Sequence, residues 1–126
     1  VRPIEAEDIP VIMEWFNERG AGDVSAFLPK HGYIVDDKCA CFVYFVDNAP
    51  VCFVEWVVSN PSLSPRESVR GLKELAEGIA DFAKSVEESG VFTLTVLSNS
   101  KLCKLFSDVG FKVGCSGETS MVFGGI

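Results

Sequence analysis

Basic residues are scarce in this chain. Eleven lysines and arginines stand against eighteen acids in 126 residues, a formal charge of −7 at pH 7. Phosphate contacts need Lys and Arg, so nucleic acid is excluded as a default partner, although a local basic pocket is not. Histidine occurs once, at His31, and no Ser/His/Asp set, zinc-ligand spacing, nucleotide P-loop or RNA-binding aromatic motif is present. No apolar run approaches the ~20 residues of a membrane span. The opening Val1-Arg2-Pro3-Ile4-Glu5 lacks signal-peptide anatomy. Repeats and low-complexity segments are missing as well. Together these absences predict a soluble, cytoplasmic protein with no membrane partner and no direct nucleic-acid partner.

What is present suits one globular domain over 1–126, with 48% hydrophobic and 23% charged residues. The five cysteines (Cys39, Cys41, Cys52, Cys103 and Cys115) are odd in number and lie in apolar segments. They read as free, buried thiols in a reducing compartment. Cys39 and Cys41 have the wrong spacing for a zinc knuckle and fit neighbouring same-face positions of a strand. No metal is expected.

The chain is organised around residues 50–90. Residues 50–58 form an apolar strand, 59–64 a polar hinge, and 65–88 one long helix. Ser64 suits the N-cap, Pro65 the first helical position and Glu67 the third, which is a capping box. Val69, Leu72, Ala76, Ile79, Ala80, Ala83 and Val86 recur at helical spacing and give one apolar face. A strand running into a helix N-terminus aims backbone N–H groups at one point, a natural place for a phosphate.

Elsewhere, residues 2–4 read as a first strand. Glu7, Asp8 and Pro10 open a helix with the stripe Ile9, Ile12, Met13 and Phe16, which Gly20 ends. Residues 21–32 read as a loop or short irregular helix. Strands follow over 33–35 and 39–46, with turns at 36–38 and 47–49. Glu55 and Trp56 interrupt the apolar strand 50–58. A strand over 91–97 follows the long helix and is expected parallel to 50–58. A second helix, capped at Ser98 or Asn99, ends at Gly110, and short strands are expected over 111–114 and 119–123. The order β-α-β-β-β-α-β-α-β-β predicts an α/β (α+β) fold, a mixed central sheet of about six or seven strands flanked by about three or four helices.

This order, with three local stretches, resembles the GNAT superfamily of acyl-CoA-dependent N-acetyltransferases. The stretches are the opening Arg2-Pro3-Ile4-Glu5-Ala6-Glu7-Asp8-Ile9-Pro10, the strand–hinge–helix of 50–90, and the run from Asn99 through Leu105 and Phe106 to Gly110-Phe111. The Trp56…Ser59-Asn60-Pro61 turn and Arg66-Glu67 look most like small, divergent members carried by bacteriophages. The resemblance implies transfer of an acetyl group from acetyl-CoA to an amine by direct attack. It also implies a small-molecule or peptide amine as acceptor, and allows a homodimer.

By that resemblance Glu55 is the general base; the residue-level alternative is a solvent-facing or lysine-paired carboxylate. Backbone groups of Val57, Val58 and Ser59 are the expected pantetheine contacts, or else ordinary ladder residues. Ser62, Ser64 and Arg66 are the expected diphosphate contacts; against this stand the capping role of Ser64 and a solvated helix face for Arg66 and Arg70. Asn99 is either a coenzyme contact or a helix cap. Phe106 either packs beside the coenzyme or fills core. His31 is a second base or plain surface. Trp15, Phe16, Phe27 and Tyr33 either wall an acceptor pocket or belong to the core.

Two features depart from the family. The segment Arg66-Glu67-Ser68-Val69-Arg70-Gly71 holds one glycine where the diphosphate loop usually holds more, and Glu67 brings a carboxylate to the helix start. Phe106 stands where the family often has a proton-donating tyrosine. These motivate a second reading: a GNAT-like module without catalysis, serving as a phage accessory, virion-associated or protein-binding domain.

Overall fold

The computed structural model describes residues 1–45, 47–48, 51–85, 91–94 and 100–112. Within them run β1 (Arg2–Pro3), α1 (Ile9–Glu18), β2 (His31–Val35), β3 (Cys39–Phe45), β4 (Val51–Ser59), α2 (Pro65–Ser85), β5 (Val91–Leu94) and α3 (Ser100–Asp108). Short 3-10 turns at Ala6–Asp8 and Ser25–Phe27 precede α1 and β2. The strands form one five-stranded sheet in the order β1-β2-β3-β4-β5. The first four are antiparallel, and β5 lies parallel to β4 after the α2 crossover, as expected. The described sheet has five strands rather than six or seven. The two closing strands expected over 111–114 and 119–123 fall outside the described residues, apart from Phe111 and Lys112, which adopt no regular structure.

Each helix boundary has a local cause. Gly20, at φ +83°, closes α1: its N–H donates to the Asn17 carbonyl while the Ala21 N–H reaches back to Phe16. That is a Schellman motif, with glycine at the left-handed position. The end of α3 repeats it, with Gly110 at φ +113°, Gly110 N–H to Ser107 and Phe111 N–H to Phe106. The apolar contact that usually accompanies this motif is the edge-to-face pair Phe106–Phe111, with ring centroids 5.3 Å apart.

The start of α2 is capped as its sequence suggests. Ser64 Oγ accepts the Glu67 N–H at 3.2 Å and donates its own proton to Glu67 Oε1 at 2.9 Å. Here the Glu67 carboxylate takes the serine hydroxyl, so the box is closed side chain to side chain.

The sheet has two differently finished faces. Against α2 and α3 lie Val35, Cys39, Cys41, Val43, Cys52, Val54, Leu75, Ala76, Ile79 and Phe106, all buried. Cys39 and Cys41 share this face, as their spacing implies. Burial pushes both thiols up to about 12, so they remain protonated and inert. Cys103 departs from the expected burial: Leu102, Leu105 and Phe106 make the inner face of α3, and Cys103 falls on its exposed side; Cys115 lies outside the described residues. Gly71 also has a packing role. A Cβ there would meet Lys38 Cβ at 2.9 Å, so glycine lets α2 approach the β2–β3 turn.

The second face packs Ile12, Trp15, Phe16 and Val24 from α1 and its loop onto Ile34, Ala40, Phe42 and Val58. Arg2 fastens α1 to the sheet edge, with its guanidinium donating to both Asp8 oxygens at 2.8 Å and to Asp36 at 3.0 Å. No described helix is long and apolar enough to cross a membrane.

Candidate functional site

The irregularity that matters lies between β3 and β4. Ala40 pairs with Val58 and Phe42 with Glu55, so Cys41 alone faces both Trp56 and Val57. One extra residue in β4 is a β-bulge, which disrupts the ladder locally and bends its strand. Trp56 lies at φ +56°. A bulge of this kind ordinarily places glycine there, and a bulky residue in the left-handed region costs about 1–3 kcal/mol.

The bulge shifts the phase of β4. Before it, Phe53 lies opposite Tyr44 and Glu55 opposite Phe42, on the α1 face. Strict alternation would send Trp56 to the α2 face, but its ring sits edge-on to Phe16 of α1 at 6.0 Å. Val57 then packs into the α2-side core and Val58 into the α1-side core. Glu55 and Trp56, adjacent in sequence, therefore share one face. This is the physical content of their interrupting an apolar strand.

Three groups hold Trp56 in place. Its Nε1–H donates to Tyr44 Oη at 2.8 Å, and Tyr44 donates to the Phe27 carbonyl at 2.6 Å. The Phe27 ring stacks on the indole, with centroids 6.5 Å apart and planes 22° apart. Phe27, Phe53 and Trp56 remain substantially exposed, at 54%, 39% and 37%. Glu55 is half-buried and, among the described residues, has no ion pair. The Tyr44 hydroxyl is pushed above its ordinary pKa by burial, with the Glu55 charge adding to the rise. The two side chains thus share one electrostatic environment.

Beyond the bulge the chain is pinned. Arg19 of the α1 terminus donates to Ser59 O at 3.0 Å and to Ser59 Oγ at 2.7 Å. Asn60 donates its backbone N–H to Lys38 O and its Nδ2–H to Asp37 O, and its Oδ1 accepts the Ser62 N–H at 2.9 Å. These bonds fix the hinge that delivers the chain to Ser64 and the α2 N-terminus. The described β4–β5 ladder ends at Val54–Leu94, while β4 continues to Ser59.

The expected site residues separate into groups. Glu55, Val57, Val58 and Ser59 lie together on and just past the bulge, with Val58 buried in the α1-side core. Ser62, Ser64 and Arg66 follow on the exposed hinge and first turn of α2. Phe106 is 2% exposed and fills the α2-side core. Asn99 lies outside the described residues. His31 belongs to the opposite face from Glu55: it pairs with Val43 and its ring meets Phe45 edge-on at 5.2 Å. Tyr33 is also on that face, against Phe82 of α2. Trp15 and Phe16 are core, Tyr33 is half-buried on the other face, and Phe27 is presented to solvent on the Glu55 side.

Sequence reasoning missed Tyr44, Phe53 and Arg19, and placed Asn60 in the turn without its anchoring bonds. Tyr44 and Phe53 hid within nearly continuous apolar strands, where face cannot be read from polarity. Asn60 carried a usable signal, because an Asn beside Pro is a frequent turn builder.

No family model matches the chain, and a search of curated proteins by sequence finds no match. Solved structures do resemble it. One is named "Putative acetyltransferase from Agrobacterium tumefaciens str. C58"; it is 14% identical, with a TM-score of 0.67 over 96% of this chain and 98% of that one. A second, named "Crystal structure of a probable acetyltransferase", is 12% identical, with a TM-score of 0.59 over 97% of each chain. At these identities the likeness is one of fold, and it extends over nearly the whole of each chain.

Proposed function

We propose that this chain is an N-acyltransferase of the GNAT type, moving an acetyl group from acetyl-CoA to an amine. One observation carries the reading: a half-buried carboxylate, Glu55, stands beside a bulge in a strand that runs through a pinned hinge into a helix N-terminus. A shared fold with two structures named as acetyltransferases supports it.

The chain's own groups fit such a donor at two places. Ser62, Ser64 and Arg66 are exposed on the hinge and first turn of α2, beside a helix N-terminus, which suits a diphosphate. The described β4–β5 ladder ends at Val54–Leu94 while β4 runs on through Val57, Val58 and Ser59, which suits the amide groups of a pantetheine arm. In this reading Asn99 adds a further contact. Phe106 supports the site from within the core.

The chemistry follows from position and charge. Glu55 accepts a proton from the ammonium group, leaving a nucleophilic nitrogen. That nitrogen bonds to the acetyl carbonyl carbon, a backbone N–H near Val57 stabilises the developing oxyanion, and the C–S bond breaks. Phenylalanine at 106 has no proton to give, so water carries the second proton, shed by the newly acylated nitrogen, to the departing thiolate. Positioning rather than a covalent enzyme intermediate supplies most of the rate.

A second reading has its own observation. The Ser64–Glu67 pair already closes the α2 N-terminus and leaves a carboxylate there. A like charge within ~4–6 Å of a phosphate costs on the order of 1–4 kcal/mol unless solvent or Arg66 and Arg70 offset it. On that reading the chain is a non-catalytic binding or structural module, such as a phage accessory or virion-associated protein. Titration calorimetry with acetyl-CoA, together with native mass spectrometry for co-purified CoA, separates the two. Micromolar to sub-millimolar binding and acetylation of an added amine support the transferase. Absence of binding at millimolar acetyl-CoA removes it.

A further inference from the structure

The α1 face of the β3–β4 ribbon presents an aromatic surface with one charge. Phe53 and Tyr44 are register partners, Trp56 is turned onto the same face by the bulge, and Phe27 stacks on Trp56. The polar atoms of these rings are already committed. The Trp56 N–H is given to Tyr44, and the Tyr44 proton is given to the Phe27 carbonyl. A ligand therefore meets ring faces and edges with no indole or phenol donor to spare. The polar side chain left in the patch is Glu55, a carboxylate that only accepts and that lacks a cationic partner among the described residues. Aromatic faces and a carboxylate both attract positive charge.

We infer that this patch binds a small monocationic amine with an apolar body, its ammonium group at Glu55 and its alkyl or arylalkyl part along Phe27, Phe53 and Trp56. Three alternatives fit the patch less well. A polyhydroxylated amine needs hydrogen-bond donors and acceptors that the rings have already used. A polyamine needs a second carboxylate within the patch, and the acid of the adjoining loop, Asp23, has its Oδ1 committed to the Ser25 N–H and hydroxyl at 3.0 and 2.7 Å. A lysine on a peptide brings backbone groups that find no free polar side chain among these residues besides Glu55. The proposal takes the fate of the amine from the transferase reading, but its binding stands apart from it.

The test is a titration of the full chain, by calorimetry or by tryptophan emission, with four probes: 2-phenylethylammonium, the uncharged 2-phenylethanol, spermidine, and a short lysine peptide. The ammonium probe is expected to bind about tenfold more tightly than the alcohol, the size of a partly desolvated charge–carboxylate and cation–π contact. Glu55→Gln brings the two within about twofold. Phe27→Leu, at an exposed position, weakens the ammonium probe several-fold while the circular dichroism spectrum is kept. Equal affinity for ammonium and alcohol in the wild-type chain overturns the inference, as does tighter binding of spermidine or of the lysine peptide. Acetyl-CoA titrated into the same sample keeps the two claims separate. Selective ammonium binding without acetyl-CoA binding sinks the transferase and leaves the amine patch. Acetylation of the lysine peptide without ammonium selectivity does the reverse.

Discussion

The two faces of the sheet are built from similar residue types to different ends. The α2 face is finished over most of its described length: thiols, valines and Phe106 lie against Leu75, Ala76 and Ile79 with almost no exposure, while Phe45, 49% exposed beside His31, stands open at its end. The α1 face is finished at one end, over Ile12, Phe16 and Phe42, and open at the other, over Phe27, Phe53 and Trp56. Closing a face contributes stability; leaving aromatic residues exposed beside a carboxylate forgoes some of it. The strained backbone of Trp56 lies on the open side, where function often accounts for such strain.

If the faces divide their duties in this way, substitutions should separate activity from stability. The largest effect is expected at Glu55→Gln. The change is nearly isosteric at a half-buried position, so the urea midpoint should move little. The turnover of amine should fall about 10²–10⁴-fold, the usual weight of a general base. Acetyl-CoA affinity should stay within about twofold. Loss of acetyl-CoA binding together with activity would mean that Glu55 holds the site's shape rather than moving a proton.

The second effect lies on the other face. Ile79 is completely buried between α2 and the sheet, so Ile79→Ala should cost about 2–5 kcal/mol in urea unfolding. Phe27→Ala removes a larger side chain, yet one that is 54% exposed, and should cost about 1 kcal/mol or less. Equal costs at the two positions would break the comparison.

The third effect tests the support beneath Trp56. Tyr44→Phe removes one hydrogen-bond donor and one acceptor, leaving the Trp56 N–H and the Phe27 carbonyl to solvent. Because the patch is open, water replaces part of the loss, and about 1 kcal/mol is expected. Ammonium binding should weaken as the indole loses its fixed orientation, and an unchanged titration would show that stacking on Phe27 alone positions the ring.

This contrast also explains what the sequence disclosed. The α2 face was legible because helical spacing at Leu72, Ala76 and Ile79 and the capping residues Ser64 and Glu67 act locally. The shared face of Cys39 and Cys41 needed only strand alternation. The open face was less legible, since the bulge is invisible in a strand whose residues are apolar on both sides of Trp56. A one-residue phase shift moves every later side chain to the other face, so Glu55 and Trp56 were noticed without their shared orientation being deducible. The family resemblance offers His31 as a second base and Tyr33 as a pocket wall, but plain alternation along β2 places both across the sheet from Glu55. Gly110-Phe111, read through the family resemblance, also has a local cause in the Schellman motif and the Phe106–Phe111 contact.

The smallest expected effect concerns how each face is attached. Burial holds both helices; α2 adds a long, largely exposed Lys38–Glu74 pair at 3.7 Å, which contributes little, whereas α1 is held at its start by the close, bidentate Arg2–Asp8 pair. Hydrogen bonding from Arg2, aided by the Glu5 N–H, keeps the Asp8 pKa below its ordinary 3.8. A group with a depressed folded pKa adds stability that is fully present above its unfolded value and is lost as pH falls through its folded value. The attachment of α1 should therefore be constant from neutral pH down to about 4 and weaken below the ordinary value of 3.8, while α2, whose contacts in this core are apolar, is little affected. Amide hydrogen exchange at pH 3 and pH 7 reads this directly: protection in α1 should drop relative to α2 in acid. Arg2→Met should show the looser α1 already at neutral pH and lose that acid step. If protection in α1 and α2 falls together at pH 3, the two faces unfold as one unit and their separate attachment is wrong.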